Sequence, residues 1–394
     1  MHTGQPSPRE STTFHPQGDL PHSLYIHIPF CRHRCGYCNF TLVAGRDYLI
    51  DRYLDALETE LGWLEGSYKL STLFFGGGTP SHLRPIHLDR LNDMVRSKFS
   101  IGDEAEITAE CNPNDMDLDK ANALSRLGVN RISLGVQSLN PVKLRTLERD
   151  HSPDDIKHAI EIARTFCQSV SIDLIFAAPD ETLSQWKDDL DRALTLDPDH
   201  LSTYELTYEK GTQFWNRKSH GQFNEINEDS RAEMYLHTID RLADCGWTQY
   251  EISSFSKPKH RCRHNLTYWK GDPYFAFGPG ASRFIDGIRE TNHQSTMQYL
   301  KLVESAQSPV ADFEQLDTKS AAKERLAIGL RVIEGVHEGD FKRRTGHSVV
   351  SVLGDLVNQL LKYELIQHQD QIWKLTAKGV LLCDWISAEI VRVH

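Results

Sequence analysis

The sequence predicts an α/β protein: an incomplete parallel (β/α)6 barrel followed by a small C-terminal domain of helix, two short strands and helix. Three observations carry this reading. From residue 24 to about 206, short apolar runs alternate six times with stretches of helical periodicity, the pattern of parallel strands joined by right-handed crossovers. Residues able to do chemistry recur directly after those runs, at the strand ends where such barrels gather their sites. Beyond Ala322 the alternation gives way to a helical stretch, two short apolar runs joined by a polar turn, and a final helix.

Each element follows from its local pattern. The candidate strands are residues 24–28, 73–75, 106–109, 131–135, 170–175 and 200–206. Between the first two, Ile50, Leu54, Leu57, Leu61 and Leu64 recur at helical spacing and define one apolar face. Ala121, Leu124 and Leu127 do the same and end at Gly128, a C-cap. Ser152-Pro153-Asp154 starts a helix over 153–166, with Pro at its first position. Past Thr212 the pattern is irregular, with a helix over 230–245 and then the segment 250–284. Val352, Leu356, Gln359, Leu360 and Tyr363 mark a helix before strands at 365–368 and 371–375, and a last helix runs from Lys378. This closing arrangement resembles a winged-helix module. The domain reading is a disordered leader over 1–21, a barrel over 22–210, an extension over 211–310 and a winged-helix-like domain over 311–394.

Composition excludes several classes. A net charge of −11 over 394 residues argues against a nucleic-acid partner, which needs clustered Lys and Arg. The C-terminal module carries ten Lys/Arg against nine Asp/Glu from Lys323 on, so docking or a lid role suits it better than DNA binding. No stretch approaches the roughly 20 apolar residues of a membrane span, and no secretory pattern opens the chain. At most peripheral membrane contact is expected. Eight cysteines in a long chain without a signal read as reduced thiols in the cytoplasm. Cys111, Cys167, Cys245, Cys262 and Cys383 are scattered and read as packing.

Cys31, Cys35 and Cys38 are different. They supply three thiolates within eight residues, directly after the first strand. A zinc knuckle would want a fourth Cys or His at matching distance, and His27 and His33 lie near, but the position after a strand and a Pro-Phe pair favours another use. A cubane iron–sulfur cluster normally takes four cysteines, so three leave one iron open. The spacing resembles the signature of radical S-adenosylmethionine (SAM) proteins, in which SAM completes the fourth position. After the second strand, Gly76-Gly77-Gly78-Thr79 suits the amino-acid head of SAM, through freed N–H groups and the Thr hydroxyl, although a tight loop would read the same. Glu110 ends the third strand, Gln137 follows the fourth, and Asp173 lies within the fifth.

Together these stretches resemble the family of oxygen-independent coproporphyrinogen III oxidases and their relatives. The matching segments are Tyr25-Ile-His-Ile-Pro-Phe-Cys31, Gly76-Gly-Gly-Thr-Pro80, Glu110, Arg131-Ile-Ser-Leu-Gly-Val-Gln137 and Ile172-Asp-Leu-Ile175, across roughly residues 22 to 394. The resemblance implies a barrel of radical SAM type, with a 4Fe–4S cluster on Cys31, Cys35 and Cys38. SAM contacts are implied at Tyr25, Tyr37, Gly77, Gly78, Thr79, Glu110, Gln137, Arg149, Asp173 and Thr207, and an electron donor for the cluster is implied with them. In the oxidases a further cysteine follows the third ligand by two residues; here that position is Phe40, and the long amino-terminal segment is largely missing. Both departures point to the heme chaperone branch. His264-Asn265-Leu266-Thr267-Tyr268-Trp269 matches that branch's HNxxYW motif, which makes His264 a heme ligand and Arg261 and Arg263 partners for propionates, unless the histidine is structural. Three readings follow: a heme-binding chaperone delivering heme to a recipient protein, a porphyrinogen oxidase, and a radical SAM enzyme acting on heme itself.

Overall fold

The computed structural model describes residues 13–393, and these separate into two compact units, the residues up to Arg241 with Pro273–Phe313, and Leu242–Asp272 with the residues from Glu314 on. The first unit holds the predicted barrel. Its strands are β1 (Ser23–Ile28), the short β2 (Phe30–Cys31) and β3 (Val43–Ala44), β4 (Tyr68–Gly77), β5 (Phe99–Cys111), β6 (Arg131–Gln137), β7 (Ser169–Phe176) and β8 (His200–Glu205). β1, β4, β5, β6, β7 and β8 lie side by side in chain order, all parallel. This is the incomplete six-stranded barrel the sequence calls for. A seventh parallel strand, Phe275–Phe277, pairs with the free edge of β1. Three residues from a segment 250 positions away leave no periodicity to read, so the sequence leaves that edge open.

The helices α1 (Ile50–Gly62), α2 (Pro85–Lys98), α3 (Leu118–Leu127), α4 (Pro141–Thr146), α5 (Pro153–Ala163), α6 (Leu183–Thr195) and α7 (Gln213–Ser219) follow the strands. Ile50, Leu54, Leu57 and Leu61 of α1 are buried, as their spacing requires. Gly128 caps α3 at φ 87°, and Ser152 and Asp155 form a capping box at the start of α5. One polar residue, Glu60, shares the apolar face of α1. It accepts from Gly278 N (2.9 Å), Asn292 Nδ2 (2.7 Å) and the Tyr299 hydroxyl (2.7 Å), so a buried carboxylate fastens residues 278–299 to the barrel.

Three expectations change. Residues 1–12 of the expected leader lie outside the described residues, but Phe14 is buried, exchanging backbone hydrogen bonds with Trp63 and Glu65 and packing against Phe277. The helix expected around Val352–Tyr363 is two, Val349–Leu353 and Leu356–Lys362, separated by Gly354 at φ 54°. Residues 242–272, read as part of an extension over 211–310, fold instead with the C-terminal residues. There Arg325 donates to the carbonyls of Lys270 and Gly271, and Glu251 bridges Val332. The second unit otherwise has the expected helices and a three-stranded antiparallel wing, in which Val336–His337 joins the hairpin Ile366–Gln369 and Ile372–Leu375. Among the described residues no helix is long and apolar enough to cross a membrane.

Candidate functional site: a cysteine loop over the barrel mouth

The cysteine loop leaves β1 and is closed at its base by β2 and β3, with Val43 N donating to Pro29 O and Gly45 N to Cys31 O. Cys31 and Cys35 are buried and Cys38 half-buried. All three line one cavity with Tyr37, Gly77, Gly78, Thr79, Glu110, Gln137, Arg149 and Asp173. Tyr25 adjoins it, stacked on Phe74 and beside Glu110. Residues from the ends of four strands, with Asp173 from within β7, therefore line one cavity, and one expected member does not. Thr207 is exposed and is not among the cavity's lining residues, because the chain has already left β8 at Glu205.

Burial pushes the Cys31 thiol up to about 12, against the pull of Thr79, whose hydroxyl lies 3.1 Å from the sulfur. Burial also raises Cys38. Thiols this reluctant to ionise need a bound cation to become ligands, which metal binding supplies. Among the described residues no three His, Cys, Asp or Glu side chains converge on a single ion position. Three thiols lining one cavity fit a cubane, in which each takes a different iron. Arg149 Nη1 donates to Cys35 Sγ (3.5 Å) and Nη2 to Gly135 O (2.9 Å), while its buried Nε has no partner. An orphaned guanidinium donor at a cysteine cavity calls for an anionic group there. The residues fit a cluster with SAM beside it.

The glycine loop works differently from the expectation. The N–H groups of residues 77 to 79 are not free: Gly77 donates to Glu110 Oε2 (3.0 Å), Gly78 to Ile28 O (2.8 Å) and Thr79 to Phe30 O (2.8 Å). A Cβ on Gly77 would stand 2.5 Å from the His27 ring, and one on Gly78 2.7 Å from Phe30 O. The glycines are there because the loop packs onto β1 and β2. A carboxylate must find its donors elsewhere, and Arg149, whose Nε is unpartnered, offers one.

Burial raises Glu110 to about 7, with Asp173 adding repulsion and the Gly77 N–H opposing it. Burial likewise raises Asp173 to about 6, against hydrogen bonds from Ser202 and Ser133. Two carboxylates facing one cavity favour a cationic occupant. Gln137 reaches the cavity through a β-bulge in β6 and sits at φ 66°, a backbone strain that stays only where the surroundings impose it. Ser133, which donates to both Asp173 oxygens at 3.2 Å, is a member of the site that the motifs do not single out. The alternation Ser133, Gly135, Gln137 on one face of β6 is the signal that would have found it.

His264 lies in the second unit, on the helix Arg263–Trp269, and is fully buried. Its Nε2 is 2.8 Å from the Tyr268 hydroxyl, and burial lowers it to about 3, so the imidazole is neutral but enclosed. Arg261 is not free for a propionate, being paired with Glu334 at 2.6 Å. Cys262 is buried and belongs to the packing.

The chain matches the Radical SAM superfamily over residues 25–193 and the HemN C-terminal domain over residues 316–382. It is 35% identical to Heme chaperone HemW of Bacillus subtilis (strain 168), across 91% of this chain and 96% of the relative. The Heme chaperone HemW of Escherichia coli (strain K12) is 37% identical, across 92% and 96%. Radical S-adenosyl methionine domain-containing protein 1, mitochondrial, of Danio rerio is 34% identical, across 80% and 73%. Among solved structures, coproporphyrinogen III oxidase (HemN) from Escherichia coli superposes with a TM-score of 0.82 over 94% of this chain and 90% of that one, at 24% identity, a likeness of fold.

Proposed function

The chain belongs to the HemW family of heme chaperones, built on a radical SAM domain, and from that premise we propose that it binds heme and passes it to recipient proteins while holding a SAM-capped 4Fe–4S cluster on Cys31, Cys35 and Cys38. The observation that carries the cofactor half is the cavity where three thiols, the orphaned Arg149 Nε, Glu110 and Asp173 meet. When bound, the cluster supplies an iron with an open position and a route for single electrons. The chain's own residues bind and orient. Arg149 steadies Cys35 and offers Nε to the carboxylate of SAM, Glu110 and Asp173 face its cationic groups, and Ser133 holds Asp173 in place.

The heme half rests on kinship and on the motif helix. His264 is neutral, the form that ligates iron, and the enclosed helix must open for it to reach one. The partners of this reading are heme, a heme-receiving protein and a one-electron donor for the cluster, in the cytoplasm, with no nucleic acid. The intact SAM cavity also suits the porphyrinogen oxidase, but Phe40, 61% exposed at the cavity edge, stands where that enzyme's further cysteine is expected.

One paired experiment separates the two. The cluster-reconstituted protein is loaded anaerobically with heme and mixed with an apo-hemoprotein, and in parallel is given coproporphyrinogen III with SAM and dithionite. The proposal expects the acceptor's Soret band to grow and no protoporphyrinogen to form. Turnover of the porphyrinogen without heme transfer would replace it with the oxidase.

A further inference from the structure

Between Cys31 and Cys38 the loop carries Arg32, His33 and Arg34 and no acid. Two of the three have partners outside the loop. Arg32 pairs with Asp115 (3.4 Å), and His33 Nε2 lies 2.8 Å from Glu148 O. Arg34 turns back on the loop itself. Although exposed, its guanidinium donates through Nη1 to Cys38 O (3.2 Å) and Phe40 O (3.3 Å) and through Nη2 to Leu42 O (2.7 Å). These carbonyls belong to a turn that is also tied by Cys38 N–H to Cys35 O (3.0 Å), by the Phe40 N–H to the Cys38 thiol, and by Thr41 O against His27 Nε2 (2.7 Å). A planar fork with five donors can hold three acceptors at once, which a lysine ammonium on its flexible stem does poorly. Among the described residues Arg34 pairs with no carboxylate, so its charge stays uncancelled beside Cys35 and Cys38.

We propose that Arg34 is a positioning residue for the cluster: its guanidinium fixes the turn that presents Cys38, and its charge raises the potential at which the cluster accepts an electron. The proposal rests on the reading of Cys31, Cys35 and Cys38 as cluster ligands. The redox step is the gain of one electron from an external one-electron reductant such as dithionite, with no bond made or broken. The cluster then carries one more negative charge, which a nearby fixed cation stabilises. Arg149, which donates to Cys35 Sγ, adds its charge in the same sense.

The test reconstitutes the full chain anaerobically as wild type, Arg34→Gln and Arg34→Lys. Iron and sulfide content, iron release to a chelator, and a potentiometric titration followed by visible absorbance are measured on each. Arg34→Gln should release iron severalfold faster and show a more negative midpoint. Arg34→Lys, which keeps the charge but loses the fork, should keep a midpoint close to wild type and still release iron faster. A folded Arg34→Gln that takes up no cluster also supports the positioning role, and Arg34→Lys then carries the potential test. Wild-type midpoint and wild-type iron retention in Arg34→Gln would overturn the proposal. Failure of the wild type itself to hold iron and sulfide would instead defeat the cluster assignment beneath it.

Discussion

Glu110 and Asp173 set a pH dependence that can be worked out by sign. Both are raised, to about 7 and about 6, so each is neutral below its value and a carboxylate above it. A cationic ligand is held by the ionised forms, so the affinity for SAM should rise as pH increases through 6 to 7 and level off above. Equilibrium dialysis from pH 5.5 to 8 checks this, and Glu110→Gln should remove the upper part of the rise. An affinity that falls with pH, or does not change, would contradict the assignment. The gathering of the three cysteines and Glu110 at one cavity was legible because a short spacing or a strand end marks them, and that of Asp173 because it interrupts an apolar strand. Thr207 was misplaced because β8 ends at Glu205, one residue earlier than its apolar run suggests, and Thr207 lies exposed beyond it. The role of the glycines was misread because tertiary contacts to Ile28, Phe30 and Glu110 use up N–H groups that a lone loop would leave free.

At the level of elements, the segment from β6 to Arg149 is held from behind by a buried ion triad. Lys143 Nζ on α4 reaches Glu181 (2.6 Å) and Asp189 (3.2 Å), and Asp189 also accepts from Ser138 Oγ and Leu139 N. Arg149 N donates to Leu144 O, so the helix so anchored sets where the guanidinium stands. Lys143→Met would leave two buried carboxylates without their cation, and removing one partner of such a set costs about 3–5 kcal/mol. Urea unfolding should show a loss of that order, with weakened SAM binding at temperatures where the variant stays folded. A loss below about 1 kcal/mol, the scale of a surface pair, would mean that the triad is solvated and holds nothing. None of this is written in the periodicity of α4, which is too short to show an apolar face. The strands β1 and β4 to β8 were legible for the opposite reason, whereas β2 and β3, two residues each, were not. The strand Phe275–Phe277 and the break at Gly354 were not, the first being three residues long and the second a single backbone angle inside an apolar run.

For the whole molecule, the central claim is that a cluster-bearing chain of this family carries heme. Composition could only set expectations, against a nucleic-acid partner and against membrane-spanning helices, and among the described residues no helix is long and apolar enough to span. The HNxxYW motif was legible, but its burial against Tyr268 was not, because hydrogen-bond partners one turn apart are chosen by packing. The most direct measurement is an anaerobic heme titration of the cluster-reconstituted protein, followed by Soret absorbance, beside His264→Ala. The account predicts near-stoichiometric binding in the wild type and at least a tenfold weaker affinity in the variant, roughly the 1.4 kcal/mol that a lost ligand interaction exceeds. Absence of a Soret shift in the wild type would contradict it.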